Sequence, residues 1–137
     1  MKTLYEVRQI SEEELPTIFC DMDEVLVAFR SGAEKVIGKP FPDADKEERW
    51  KAISQTKGFW ANLDWMPGAK RLWSFISKYD TEILSAYSRR DGTTRTGKLK
   101  WLSKNTKIKR GKINLVMRSD KQKYATTNGK PNILIDD

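Results

Sequence analysis

Histidine is missing altogether from the 137 residues. Its absence excludes histidine phosphatases, Ser-His nucleophilic triads and His-ligated zinc. Cysteine occurs once, at Cys20, which excludes an intrachain disulfide and a Cys-rich metal cluster. A Cys-x5-Arg phosphatase loop is excluded too, because Leu26 stands six positions after Cys20. Long apolar runs are also lacking, and none approaches the roughly 20 residues of a membrane span. The first residues, MKTLYEVRQISEEELP, have no apolar signal-peptide core. These absences lead to the expectation of a cytoplasmic protein with no membrane partner.

What is present is enough for one apolar core. The hydrophobic fraction is 38%, with five Trp, five Phe and four Tyr. A chain of this length is expected to form one domain with at most a small insertion. The net charge of +7 is unevenly spread. Residues 1–87 hold 12 Lys and Arg against 15 Asp and Glu, whereas residues 88–130 hold 14 against only Asp91 and Asp120. A basic block of this kind attracts phosphates, on nucleotides or on nucleic acid, unless it is simply a solvated surface.

Short β-rich apolar runs alternate with helical patterns. Ser11 to Glu14 form a possible capping box, cut short by Pro16. The first strand is expected at Thr17–Cys20, followed by an apolar run from Val25 and a helix to Ile37. Asp43 is the expected cap of a second helix, reaching about Ser54. Pro67 reads as the first residue of a third, whose Ala69, Leu72, Trp73, Ile76 and Tyr79 face a core. Further strands are expected at 82–86, 113–117 and 132–136, with a basic helix from about Lys98 to Lys104. Residues 87–97 and 118–131 read as polar loops. The expected fold class is therefore α/β, a mostly parallel sheet with helices on both faces. Ligands of such sheets bind at the carboxyl ends of the strands.

Those ends carry Asp21 and Asp23, Ser85, and Asp136 and Asp137. Two unit charges about 5 Å apart repel by roughly 3 kcal/mol at an effective dielectric near 20. Carboxylates gathered there need a cation or shifted pKa values. All-oxygen ligands favour a hard ion such as Mg²⁺. The plainer alternative is that each Asp caps a helix or sits in a solvated turn.

Asp21-Met22-Asp23 after one strand, Ser85 after a second, Lys98 on a helix and Ile135-Asp136-Asp137 after a last strand resemble the four motifs of the haloacid dehalogenase (HAD) superfamily. The segments from Asp21 to Phe29 and from Gly58 to Leu63, followed by Pro67-Gly68-Ala69, resemble its 5′(3′)-deoxyribonucleotidase branch. The resemblance implies a Rossmann-like core of residues 16–29 and 67–137, a small helical cap of residues 30–66, and an extension at 1–15. It implies a Mg²⁺-dependent phosphomonoester hydrolase acting on nucleoside monophosphates. Asp21 would be the nucleophile and Asp23 the general acid and base. Ser85, Ala86 and Lys98 would hold the phosphoryl group, with Arg118 and Lys121 as secondary candidates. Asp21, Asp23, Asp136 and Asp137 would bind the metal, Asp23 through its carbonyl. Phe29, Phe59 and Trp60 would line the nucleoside pocket, the alternative being ordinary core packing.

Two features depart from that family. Glu24 stands where Gly is usual, and the sequence ends at Asp137, where members of the family continue with further helix and strand. Pairing of two copies across an exposed sheet edge, as a homodimer, is one way to cover what such an ending exposes. Gly92 to Lys98 also match a phosphate-binding G-x-x-x-x-G-K loop, but Leu99 follows where Ser or Thr would ligate the metal. Two alternatives keep the fold: a 3′-phosphatase acting on nucleic-acid ends through the basic segment 88–130, and a weakly catalytic domain that binds nucleic acid or a partner.

Overall fold

The computed structural model describes residues 15–89 and 91–137; the Ser11–Glu14 segment lies outside them. In chain order the principal elements are β1 (Ile18–Cys20), α1 (Phe29–Ile37), α2 (Lys46–Gln55), α3 (Ala69–Ile76), β2 (Thr81–Ala86), α4 (Thr94–Asn105), β3 (Ile113–Val116), β4 (Thr126–Thr127), β5 (Lys130–Pro131) and β6 (Ile133–Ile135). Short 3-10 turns cover Phe41–Asp43 and Arg110–Lys112, and a longer one covers Arg118–Tyr124. No helix among the described residues is long and apolar enough to cross a membrane.

The main sheet has four parallel strands in the order β3-β2-β1-β6. This is an α/β arrangement of Rossmann-like type. Register puts Cys20 beside both Ile83 and Ile135, and Ile83 beside Ile113. Side chains alternate across a strand, so these four share one face. They join Ala69 and Ile76 of α3 and Trp101 and Leu102 of α4 in the main core. Trp101 is fully buried; its indole N–H donates to the Leu63 carbonyl at 2.8 Å, and its ring meets Trp65 edge-on at 4.7 Å.

The expected helices on both faces are not found among the described residues. Both crossovers from β1 to β2 and from β2 to β3 run in the same direction, so right-handed connections place α3 and α4 on the same side. The return from β3 to β6 passes over the other face and carries the 3-10 segment Arg118–Tyr124 instead of an α-helix. There Tyr124 packs edge-on against Phe19 at 5.3 Å, while Leu134, beside Phe19 in register, stays 51% exposed.

Ala33 of α1 and Ile53 of α2 build a second, smaller core with Phe59 and Trp60 of the turn that follows α2. This cap is keyed to α4 at Gly97, where a Cβ would come within 2.4 Å of the Trp60 Cβ. A further contact seals the joint, since Asp91 accepts the Trp60 indole N–H at 2.8 Å.

Local details differ from expectation for identifiable reasons. Asp45, not Asp43, caps α2, accepting from the Glu48 N–H at 2.8 Å, because Phe41–Asp43 is already wound into its own turn. Pro67 precedes the helix instead of starting it, with Gly68 as the N-cap of α3. Tyr79 lies beyond that helix and is exposed. α4 begins at Thr94, four residues before Lys98. The segment expected as a loop at 118–131 holds both the 3-10 turn and the β4–β5 hairpin. Asn128 and Gly129 turn that hairpin with positive φ of 52° and 78°, the two-residue geometry such a pair favours.

Candidate active site

β1 ends at Cys20, and the chain delivers Asp21 to the carboxyl edge of the sheet, where its N–H still donates to the Ile135 carbonyl at 3.0 Å. Asp21 is 8% exposed. Its Oδ1 accepts the Met22 N–H at 2.7 Å, and its Oδ2 accepts from Lys121 Nζ at 3.0 Å. The same ammonium lies 3.6 Å from Asp136, so Lys121 ties the 3-10 turn to both ends of the acidic cluster.

After Asp21 the backbone folds tightly, with the N–H groups of Val25, Leu26 and Val27 converging on the Met22 carbonyl. Glu24 sits at φ 61° in this turn. The left-handed conformation suits glycine, yet Glu24 has a use for its side chain. Its Oε1 accepts from the Arg30 N–H and so caps α1, whose N-cap residue Ala28 offers no side-chain acceptor.

β2 delivers Ser85 and Ala86, and α4 brings Lys98 under them. Lys98 is 1% exposed. Its Nζ donates to Ser85 Oγ at 2.8 Å, to the Ala86 carbonyl at 2.7 Å and to Asp23 Oδ2 at 3.2 Å, and lies 5.2 Å from the centroid of the Trp60 ring. The second oxygen of Asp23, Oδ1, is buried with no hydrogen-bond partner. A buried oxygen of this kind costs free energy unless something else meets it. Burial pushes the Asp23 carboxyl up despite the opposing Lys98 charge.

Asp21, Asp136 and Asp137 bring carboxylate oxygens within 4.8 Å of one another. Burial raises the Asp21 pKa, and its hydrogen bond with Asp136 adds to this, while Lys121 opposes it. Partial burial also works against ionisation of Asp136, but hydrogen bonds from Asp21 and from the Asp137 N–H outweigh it, holding that carboxyl low. Carboxylate oxygens gathered this closely favour a cation between them. The donors are all oxygen, which fits a hard divalent ion. The Asp23 carboxylate stands outside this cluster and faces Lys98 instead.

Asp21, Asp23, Ala86, Lys121, Asp136 and Asp137 open onto a cleft of about 1190 Å³, together with Arg118, Phe29 and Trp60. Three expected site residues do not line it: Ser85 and Lys98 lie beneath its floor, and Phe59 is buried in the cap. Phe29 stacks nearly parallel on Trp60, 5.2 Å between centroids, with Phe59 edge-on to both.

Several functional candidates were not singled out from sequence. Phe41 and Arg49 line the cleft, with the Arg49 guanidinium 4.0 Å over the Phe41 ring, and Trp50 lines it beside them. Asp91 is buried, accepting from Trp60 and from the Thr93 N–H and hydroxyl. The Trp60–Asp91 contact joins segments 31 residues apart, and no local spacing announces it or the place of Phe41 and Arg49 in the cleft. Compared with models of known protein families and with curated proteins, the chain matches none.

Proposed function

We propose that the protein is a Mg²⁺-dependent phosphatase of HAD type that hydrolyses nucleoside monophosphates. The observation that carries this reading is the buried Lys98 ammonium, joined at once to Ser85, Ala86 and Asp23 beside the Asp21 carboxylate. A buried ammonium held against one strand end and a nucleophilic carboxylate at the end of the adjacent strand suit transfer of a phosphoryl group.

In this mechanism an Asp21 oxygen attacks phosphorus and the bond to the nucleoside oxygen breaks. Asp23, whose burial favours the protonated form, gives its proton to the leaving alkoxide. The product is a nucleoside and an aspartyl-phosphate. Asp23, now ionised, takes a proton from water, whose oxygen attacks phosphorus; phosphate leaves and Asp21 is regenerated. Lys98 and Lys121 offset charge on the phosphoryl oxygens. Asp21, Asp136 and Asp137, with the Asp23 carbonyl, would hold Mg²⁺, which when bound neutralises phosphoryl charge. Phe29, Trp60 and Phe41 offer apolar faces to the nucleoside.

The test is phosphate release from a panel of deoxy- and ribonucleoside monophosphates with Mg²⁺. Asp21→Asn should lose at least about 10³-fold in turnover, since a carboxamide is no nucleophile. Lys98→Ala should lose far more than Lys104→Ala. Activity that survives Asp21→Asn removes the nucleophile from this reading. A second reading, phosphatase action on nucleic-acid ends, draws on the cations Lys46, Arg49, Arg89 and Arg118 along the cleft. A steep fall in activity with salt on 3′-phosphorylated oligonucleotides would select it.

A further inference from the structure

A second groove, of about 670 Å³, lies at the opposite end of the sheet. Thr81, the first residue of β2, lines it, so it is separated from Ser85 by nearly the length of that strand, about 13 Å. Trp65 and Trp73 form part of its wall, with Ser74 and Ser77 of the α3 region and Asn105 and Thr106 at the end of α4. Its charged residues are Lys70, Lys104 and Lys107, and no carboxylate lines it. Among the described residues no ion pair or hydrogen bond engages the ammonium of any of these three lysines. Lys100 and Lys104 stand four apart on α4, with Lys107 just beyond, so the cationic stripe runs into the groove. No Asp or Glu occurs between Asp91 and Asp120 to neutralise it.

We propose that this groove is a non-catalytic binding site for single-stranded nucleic acid. Unpaired lysines follow a phosphate backbone, while the exposed parts of Trp65 and Trp73, both half-buried against the main core, offer apolar contact to bases irrespective of sequence. Hydroxyl and amide side chains supply further phosphate contacts. Lys104 alone is accounted for by the negative end of the α4 dipole; Lys70 and Lys107 belong to other segments and are not. Trp101, the aromatic residue that lies among these lysines in sequence, contributes nothing to the surface because it is fully buried. The site is independent of the catalytic reading, being remote from Asp21.

The test is fluorescence anisotropy of labelled oligo-dT and oligo-U with the full chain, across salt concentrations. Binding of either is expected, and persists in Asp21→Asn. The combined substitution Lys70→Glu, Lys104→Glu, Lys107→Glu should weaken it at least tenfold and flatten the log-log salt slope by about 2, at roughly 0.7 per phosphate contact on single strands. Trp73→Leu should weaken it with the salt slope unchanged. Circular dichroism and phosphate release, which should not change in these variants, confirm intact folding. The proposal is overturned if neither oligonucleotide binds. It is equally overturned if the triple variant binds as the parent does, if Lys46→Glu, Arg49→Glu at the catalytic cleft abolishes binding in its place, or if poly-glutamate competes as well as the oligonucleotides.

Discussion

Glu24 holds two opposed effects in one residue. Its left-handed φ costs about 1 kcal/mol relative to glycine, and its carboxylate cap on α1 returns about the same. Glu24→Gly loses both and should change stability by less than about 0.5 kcal/mol. Glu24→Ala keeps the strain and loses the cap, and should destabilise by about 1 kcal/mol, measured by urea unfolding. The turn that presents Asp21 and Asp23 thus accommodates a residue other than glycine at its left-handed position. From sequence the strain was foreseeable, because Gly is the residue that such a turn prefers. The cap was not, because its donor is the Arg30 N–H six residues on.

Between elements, the joint of cap and core is made by Asp91, Trp60 and Gly97. Burial pushes the Asp91 carboxyl up, but hydrogen bonds from Thr93 and Trp60 outweigh it and hold the pKa below the usual value. A depressed pKa contributes stability above the unfolded value, near 3.9, and that contribution is lost as pH falls through the folded value. Asp91→Asn places amide hydrogens against N–H donors and should cost about 1–3 kcal/mol at pH 7. The gap between parent and variant should narrow below about pH 4, as thermal unfolding across pH will show. A gap that is constant with pH would mean that the charge of Asp91 is immaterial. Strand and helix positions at this scale were largely readable from apolar periodicity, as at β2 and α1. The missing helical layer was not, since it depends on where the chain returns after β3.

Over the whole molecule, Cys20 reports on global opening. It lies in β1, an interior strand of the sheet, fully buried, and burial together with the nearby Asp21 and Asp136 pushes its thiol up to about 12. The folded protein should therefore resist a thiol reagent at pH 8 for as long as it stays folded, and react once in 6 M guanidinium. Fast reaction under native conditions would mean that the sheet opens locally. Charge is also organised at this scale. The carboxyl ends of the strands gather Asp21, Asp136 and Asp137, while the opposite end gathers Lys70, Lys104 and Lys107.

The sequence by itself determined the four strands of the main sheet, the placing of acids after β1 and β6, and the exclusion of histidine chemistry, His-ligated zinc and an intrachain disulfide. These depend on residue type and on periods of two and 3.6, which are local. Only the tertiary structure decided that the Asp23 carboxylate faces Lys98 and stands apart from the acidic cluster. It also decided that Phe59 and Trp101 are core while Phe41 and Arg49 meet the cleft, and that α3 and α4 share one face. Each of these outcomes depends on which distant segments come within a few ångströms of each other, and strand order and crossover handedness settle that.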